Sequence, residues 1–229
     1  MTKNLKGPYS EDSQSMEYLI LVDSNDNQVG TEEKTKCHLL NGKLHRAFTI
    51  LLFNKDGKLL LTQRSMNKML WPGDWDGTVA SHPRQSETYV SSAERRLPEE
   101  LGITCKLDYL FKFEYHVTYK DIGSENEVCG TLIGIIEDSE KIRLVEDEIS
   151  AIRLVTFDEL LSEIEKSPQI FCPWMLVALY FLSESKNNVT DDHKKILKMW
   201  NRGDLKNRLE TSLKYHFPDH QLELKKECN

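Results

Sequence analysis

The sequence predicts an α/β or α+β domain in which a mixed β-sheet lies between layers of helices. The segment Thr78–Ile103 has the pattern of a strand end, a polar loop and a helix, and short strand-like runs occur on both sides of it. Two further helical segments follow the last of these runs. The chain has 229 residues, of which 39% are hydrophobic and 29% are charged, so one core with extensions is favoured over two equal domains.

The part of the chain before the central segment supplies four strand candidates. Residues 1–17 are polar and are expected to be flexible, and Tyr18–Val22 predicts a short strand that a turn separates from a second strand at Val29. Ala47–Phe53 is a continuous apolar run typical of a buried strand. The turn sequence N-K-D-G after it predicts a hairpin with Lys58–Arg64. The next loop, between Ser65 and Gly77, is rich in aromatic residues and breakers, and we expect it to cover a pocket.

The central helix is predicted from apolar residues that recur at helical spacing, namely Val90, Ala93, Leu97 and Leu101. Ser86 or Thr88 can cap its start, and Gly102 can close its end. The opposite face carries Arg95 and Arg96, each four residues before a glutamate and therefore next to it on the helix surface. Such pairs are most often a solvated face. Beside a polar loop, the alternative is that they hold a diphosphate together with its metal ion.

The second half of the chain predicts the remaining strands and helices. Alternating runs predict strands at Leu107–Tyr119, Glu125–Ile136 and Ala151–Thr156, the last of the sheet. Helices are predicted at Phe157–Lys166 and Pro173–Ser183, and the second of them begins with proline as a first-turn residue. Residues 18–183 are therefore expected to form the main domain, and residues 184–229 a polar, partly helical C-terminal extension.

Charge, cysteine content and hydropathy argue against several classes of protein. The formal net charge of -7 argues against a nucleic-acid or anionic-membrane partner. The five cysteines form no C-x-x-C pair and are odd in number, which fits a reducing compartment. The N-terminal segment has no apolar signal region, and Ile170–Leu182, which Pro173 interrupts, is shorter than the ~20 residues of a membrane span. We therefore expect a cytoplasmic protein that acts as a monomer on a small molecule.

Five residues outside the central helix have the chemistry of metal ligands: His38, His45, His82, Glu125 and Glu127. Glu125 and Glu127 are two residues apart in a predicted strand, so both side chains leave the same face. A single histidine is more often a surface or core residue than a ligand. Together, however, the five would form a mixed imidazole and carboxylate site suited to Mn²⁺, Mg²⁺ or Zn²⁺.

Several motifs in order carry a resemblance to a known family. From Ser81 the string S-x5-E-x7-R-R-L-P-E-E-L-G-I follows the Nudix signature G-x5-E-x7-R-E-U-x-E-E-x-G-U, in which U is a bulky aliphatic residue. Ser81 replaces the first glycine, and Arg96 replaces the first helical glutamate. The range Tyr18–Leu182 also contains K-x-x-x-H, L-H-x-A-F, W-P-G-x-W and E-N-E-V-C. The chain thus resembles the type 1 isopentenyl-diphosphate isomerases, a branch of the Nudix superfamily, and this implies a Nudix-type mixed sheet layered between helices.

The resemblance also implies a role for each matching residue. The family's divalent-metal site matches His38, His45, His82, Glu125 and Glu127. Glu100 matches the carboxylate that helps to hold Mg²⁺ on the substrate diphosphate. The substrate-binding positions correspond to Lys34, Arg64, Lys68, Ser81 and Arg96. Tyr115 and Glu127 match the acid side of the proton shuttle, and Trp174 matches the aromatic residue that faces the carbocation.

These residue types suit a 1,3-proton shift that turns isopentenyl diphosphate into dimethylallyl diphosphate. Protonation of the unactivated alkene produces a tertiary carbocation, and loss of a proton from the neighbouring carbon then moves the double bond. The indole of Trp174 can stabilise such a cation by ~2 kcal/mol where water is excluded, although core packing is an equally common role for tryptophan. Basic side chains and Mg²⁺ would hold the diphosphate.

One position departs from the isomerase pattern at its chemical centre. The family places a cysteine two residues before the S-H-P histidine, where it handles the second proton, and this chain has Ala80 there. A methyl group exchanges no proton, and loss of a general acid–base group costs ~10²- to 10⁴-fold in rate. We therefore expect an isomerase of impaired activity.

Two alternatives to the isomerase stay open at this point. A Nudix hydrolase attacks a diphosphate with metal-activated water and needs no thiol. Glu99 and Glu100 favour this reading, whereas Arg96 stands where such hydrolases use a glutamate for Mg²⁺. The second alternative is a non-catalytic module that binds a metal ion and a diphosphate without turnover.

Overall fold

A computed structural model describes residues 17–137, 141–182, 189–218 and 223–225. Its strands are β1 (Tyr18–Val22), β2 (Gln28–Glu33), β3 (His45–Phe53), β4 (Leu59–Arg64), β5 (Trp75–Asp76), β6 (Val79–Ser81), β7 (Leu107–Tyr119), β8 (Gly123–Ile135), β9 (Ile149–Val155) and β10 (Glu223–Lys225). Its helices are α1 (Lys34–His38), α2 (Tyr89–Leu101), α3 (Phe157–Lys166), α4 (Pro173–Leu182), α5 (Asp191–Trp200) and α6 (Leu205–His216). A 3-10 turn occupies Pro168–Ile170.

The strands form one mixed sheet whose main order is β10-β7-β8-β3-β1-β2. The central strands β3 and β8 are parallel, from His45 beside Glu127 to Phe53 beside Ile135. The other pairings between these strands are antiparallel. The predicted mixed sheet is therefore confirmed.

Alternate residues of β3 contribute to two different hydrophobic cores. Phe48, Ile50 and Leu52 pack in the core that contains the apolar face of α2. Ala47, Leu51 and Phe53 pack in the core that contains residues of α3, α4, α5 and α6. Because successive side chains of a strand point to opposite faces, the sheet lies between α2 on one side and α3, α4, α5 and α6 on the other. This arrangement confirms the predicted layered α/β fold.

The ends of α2 follow from local sequence. Thr88, not Ser86, is its N-cap: the Thr88 hydroxyl accepts the N–H of Ser91 at 3.1 Å, and the Ser91 hydroxyl accepts the N–H of Thr88 at 2.9 Å. This reciprocal pair satisfies two helix donors. Gly102 ends the helix with a left-handed backbone at φ 66°, and its N–H donates to the carbonyl of Pro98 at 3.2 Å.

The predicted hairpin between Ala47–Phe53 and Lys58–Arg64 is corrected by the structure. β4 meets β3 at the single pair Phe53 and Leu59, and it then pairs along its length with β9. The edge of β3 that a hairpin partner would use is occupied instead by β6, which is antiparallel to it. A second correction is that β9 is not the last strand, because β10 adds to β7.

The C-terminal helices share the core of the preceding segment. Trp200 of α5 is 1% exposed, its ring lies 5.1 Å from that of Phe53, and its Nε1 donates to the carbonyl of Gly57 at 2.7 Å. The division into residues 18–183 and 184–229 stays a prediction. Apart from Glu17, the N-terminal segment expected to be flexible lies outside the described residues. In the part of the chain that is described, no helix is both long and apolar enough to cross a bilayer.

Candidate active site

Strand register places three functional side chains in one row across the sheet. Tyr115 of β7 is the register partner of Glu127 of β8, and Glu127 is the partner of His45 of β3. The hydroxyl of Tyr115 donates to Oε2 of Glu127 at 2.6 Å, and Oε1 of Glu127 lies 3.4 Å from Nε2 of His45. Residues distant in sequence thus meet because adjacent strands present their register partners on the same face.

Two further histidines reach this row from outside the three strands. His82 follows β6 directly, and its Nε2 lies 3.3 Å from Oε1 of Glu127. His38 ends α1, which packs closely against the start of β8. A Cβ atom at Gly123 would collide with the carbonyl oxygen of His38, so this approach requires glycine.

The three imidazoles and Glu127 form a candidate metal centre. Ligand atoms of His38, His45, His82 and Glu127 all lie within 4.8 Å of one another. Nε2 of His45 and both ring nitrogens of His82 are buried and have no hydrogen-bond partner among the described residues. Buried polar atoms are rarely left unpaired, and imidazole nitrogens with a carboxylate oxygen are suitable donors for a divalent ion. The donor set therefore fits such an ion.

Backbone carbonyls orient two of these rings. Nδ1 of His38 lies 2.6 Å from the carbonyl oxygen of Lys34, and Nδ1 of His45 lies 2.7 Å from that of Lys43. When Nδ1–H donates to a carbonyl, Nε2 is left as the ligating atom. Glu125 stands beside this group, because its Oε2 lies 3.1 Å from Nε2 of His38.

Burial and neighbouring charges shift the pKa values of these groups in different directions. Burial lowers the pKa of His82 to about 3, so its ring is neutral and ready to ligate a metal. Burial also opposes a charge on His38, but the carboxylates of Glu125 and Glu127 outweigh it and raise the pKa of His38 to about 9. Burial favours neutral Glu127, yet the imidazoles of His45 and His82 beside its carboxylate hold the pKa of Glu127 well below the usual range.

The candidate metal centre borders a cavity of about 210 Å³. Trp174, which is 3% exposed in the first turn of α4, lines this cavity together with Phe48. Met69 and Leu70 also line it, and they belong to the loop predicted to cover a pocket. The cavity thus joins a polar wall of candidate metal ligands to aromatic and aliphatic side chains.

Comparisons with known proteins agree on one family. Residues 43–175 match the NUDIX domain family. The isopentenyl-diphosphate Delta-isomerase of Haloarcula marismortui is 38% identical over 166 residues, covering 70% of this chain and 88% of that relative. Isopentenyl-diphosphate Delta-isomerase 1 of Photorhabdus laumondii is 35% identical over 161 residues, covering 69% of this chain and 90% of that relative.

The chain belongs to the isopentenyl-diphosphate isomerase family of the Nudix superfamily. A solved structure supports the fold: that of DR0079 from Deinococcus radiodurans has a TM-score of 0.53 at 21% sequence identity, covering 66% of this chain and 90% of that chain.

Both arginines of the Nudix helix α2 form ion pairs with nearby glutamates. Glu87 accepts two bonds from Arg95, at 2.7 Å from Nε and 2.9 Å from Nη2. Arg96 donates to Glu99 from Nη1 at 2.9 Å and to Glu100 from Nε at 2.9 Å. Glu100 is 5% exposed and is not among the four residues whose ligand atoms converge, namely His38, His45, His82 and Glu127. Its role in holding Mg²⁺ stays a prediction.

The residues predicted to bind substrate all line the cavity: Lys34, Arg64, Lys68, Ser81 and Arg96. As with Arg96, carboxylates already pair with both lysines, since Nζ of Lys34 lies 2.8 Å from Oε2 of Glu17 and Lys68 pairs with Glu148. An anionic substrate that replaces these partners would have the cations positioned for it.

Arg64 has a different environment from the other cations. Its Nε donates to the carbonyl of Trp71 at 3.0 Å, and its Nη2 donates to that of Leu70 at 2.9 Å. Two of its donors thus hold the loop over the cavity. Its guanidinium carbon also lies 5.1 Å from the centroid of the Trp174 ring.

Ala80, where the resemblance predicts the family's thiol, lines the cavity on β6. Among the described cysteines, only Cys129 also lines it, and burial raises the pKa of that thiol well above its usual range. Cys129 is thus an uncharged neighbour of Tyr115 and Glu127 and no substitute for a thiolate at position 80.

Two cavity-region carboxylates were missed in the sequence. Glu148 lines the cavity, pairs with Lys68, and lies 3.6 Å from Nη2 of Arg96. Its signal was an acidic residue directly before the β9 run. Asp76 is 3% exposed and accepts the indole N–H of Trp174. Its signal was a carboxylate inside the aromatic W-P-G-D-W-D-G segment.

Proposed function

We propose that this protein converts isopentenyl diphosphate into dimethylallyl diphosphate. The observation that carries the proposal is that His38, His45, His82 and Glu127 converge beside Tyr115, at the wall of a cavity that Trp174 also lines. Relatives named isopentenyl-diphosphate Delta-isomerase, at 38% and 35% identity, support the same reaction here.

The diphosphate of the substrate is assigned to the basic part of the cavity. Lys34, Lys68 and Arg96 supply charged donors, and Mg²⁺ held with Glu100 would neutralise the remaining phosphate charge. Anchoring the diphosphate there directs the five-carbon tail to the rest of the cavity, which includes Trp174.

Proton transfer is assigned to Tyr115 and Glu127, which share one proton across 2.6 Å. When this proton moves to the terminal carbon of the alkene, the O–H bond breaks and the π electrons form the new C–H bond. A tertiary carbocation is left. The face of the Trp174 indole stabilises this cation. The deprotonated pair then takes a proton from the carbon next to the cation, and the C–H electrons form the new double bond. Because Ala80 has no exchangeable proton, both transfers fall to this pair.

A divalent ion held by His38, His45, His82 and Glu127, with Glu125 close by, would fix the Glu127 carboxylate and increase the acidity of the pair. We propose Mn²⁺, Mg²⁺ or Zn²⁺ at this site and Mg²⁺ on the diphosphate, in a monomeric cytoplasmic enzyme. Metal analysis by mass spectrometry tests which ion the histidine site binds. A light-scattering measurement of molecular mass tests whether the enzyme is a monomer.

Product identity is the test that separates the proposed function from its rivals. The purified protein is incubated with isopentenyl diphosphate and Mg²⁺, and the products are followed by ¹H and ³¹P NMR. Dimethylallyl diphosphate supports the isomerase. Release of phosphate supports the hydrolase suggested by Glu99 and Glu100, and saturable binding without turnover supports a binding module.

A further inference from the structure

A buried carboxylate that the reaction scheme does not use anchors the indole of Trp174. The Nε1–H of Trp174 lies 2.8 Å from Oδ1 and 3.0 Å from Oδ2 of Asp76. Asp76 is 3% exposed and is not among the described residues that line the cavity, whereas Trp174 does line it. The carboxylate therefore contacts the edge of the indole from outside the space that the substrate would occupy.

Asp76 also lies beside Arg64, whose guanidinium contacts the ring of Trp174. Nη1 of Arg64 lies 3.6 Å from Oδ2 of Asp76, and the guanidinium carbon lies 5.1 Å from the centroid of the Trp174 ring. A guanidinium over the ring competes for its π electrons and repels a second cation bound there. A carboxylate at the edge of the ring and beside the guanidinium opposes both effects.

Keeping Asp76 charged in this position costs stability. Burial raises the pKa of Asp76 to about 6, although Arg64, the N–H of Gly77 and the N–H of Trp174 all favour the charged form. The thiol of Cys172 completes the set of polar groups that face it. A carboxylate that stays ionised at neutral pH at a cost to folding is more typical of a functional site than of a structural one.

We propose that Asp76 is a positioning residue for the isomerisation. Its carboxylate orients Trp174 through the indole N–H and increases the electron density of the indole face, so that the site prefers the carbocation over the neutral alkene. This inference rests on the proposed function. An interaction that strengthens only when charge develops raises kcat without lowering KM.

The variant Asp76→Asn separates charge from geometry, because its amide oxygen can still accept the indole N–H. A charge-assisted hydrogen bond is about twice as strong as a neutral one, so we expect kcat at pH 7.5 to fall roughly tenfold while KM stays within about twofold. Asp76→Ser removes the charge with less bulk and serves as a second variant if the first does not fold.

A comparison of binding affinities measures the preference of the site for a cation without requiring turnover. The cationic probe is 2-(dimethylamino)ethyl diphosphate, whose ammonium nitrogen replaces the positively charged carbon, and the neutral probe is 3-methylbutyl diphosphate. Titration calorimetry should show that Asp76→Asn lowers the affinity for the cationic probe about tenfold and leaves the affinity for the neutral probe unchanged. Equal weakening of both probes would assign Asp76 a purely structural role and overturn the proposal.

Two further variants complete the design. Trp174→Phe keeps an aromatic face but has no N–H, so adding Asp76→Asn to it should weaken the cationic affinity by clearly less than tenfold, because only the offset of the Arg64 charge is then lost. A full tenfold loss in that background would show that Asp76 does not act through the indole. Asp108→Asn is the matched control, because Asp108 accepts bonds from Thr190 and His193 and does not line the cavity. If the wild type prefers the cationic probe but forms no dimethylallyl diphosphate, the proposed function fails while the role of Asp76 in cation binding is still measured.

Discussion

Tyr115 and Glu127 stand opposite each other on antiparallel strands, with the tyrosine hydroxyl 2.6 Å from the carboxylate. Tyr115 is 3% exposed and Glu127 is 6% exposed, so the proton between them is shielded from bulk water. Both side chains line the cavity. This separation is that of a hydrogen bond along which a proton can pass between the two groups.

Removing either member of this pair should stop or greatly slow isomerisation. We expect Glu127→Gln to abolish it and Tyr115→Phe to lower kcat by about 10²-fold or more, because a general acid–base group contributes ~10²- to 10⁴-fold. The measurement is the initial rate of dimethylallyl diphosphate formation by NMR. Tyr215→Phe, at a tyrosine that is 59% exposed, is the control and should keep the wild-type rate. Isomerisation by Glu127→Gln would discard the role assigned to Glu127.

Restoring a thiol at position 80 should increase the isomerase activity. Ala80 lines the cavity, so Ala80→Cys would present a second group that exchanges protons with the substrate. We expect kcat to increase by about tenfold or more, because the thiol would carry out one of the two proton transfers that the Tyr115 and Glu127 pair carries out alone in the wild type. Ala80→Ser is the matched control, because its hydroxyl has a similar size but is a poor base. No gain from the cysteine would count against the proposed site geometry.

The histidine cluster should bind a divalent ion that also stabilises the fold. At a free ion concentration of 100 times Kd, binding adds about 2.7 kcal/mol to the free energy of unfolding. A chelator should therefore lower Tm, and His82→Ala should remove both the bound metal and this chelator effect. Metal content by mass spectrometry and thermal denaturation are the two readouts. His193→Asn, at a buried histidine that pairs with Asp108, should keep both. Wild-type metal content in His82→Ala would exclude His82 as a ligand.

The stability of the wild type relative to Asp76→Asn should depend on pH. The pKa of Asp76 is raised from 3.8 to about 6 in the folded protein, so the folded state holds the proton more readily than the unfolded state. The free energy of unfolding of the wild type should therefore increase by about 1 kcal/mol relative to that of the variant as the pH falls from 7.5 to 5. This extra stability is lost again as the pH rises through about 6. Paired denaturant titrations at each pH measure the difference. A difference that does not change with pH would show that Asp76 has the same pKa in both states.

Local patterns were sufficient for most elements of this fold. The helices at Phe157–Lys166 and from Pro173 begin where the sequence places them, and α2 ends at Gly102. The reason is that periodicity, caps and breakers act within a few residues of the chain. The short helix α1 was missed because its five residues contain too little periodicity to be distinguished from a loop.

By itself, the sequence determined that the chain is a Nudix-type α/β protein with histidines and glutamates suited to a divalent ion, because motif order and spacing are properties of the chain alone. Only the tertiary structure decided that β4 pairs with β9, that Arg64 holds the cavity loop, and that Asp76 supports Trp174 from 98 residues away. Those contacts depend on which strand edges are already occupied and on the register between distant strands. Such long-range packing is decided by the whole fold, and no local pattern contains it.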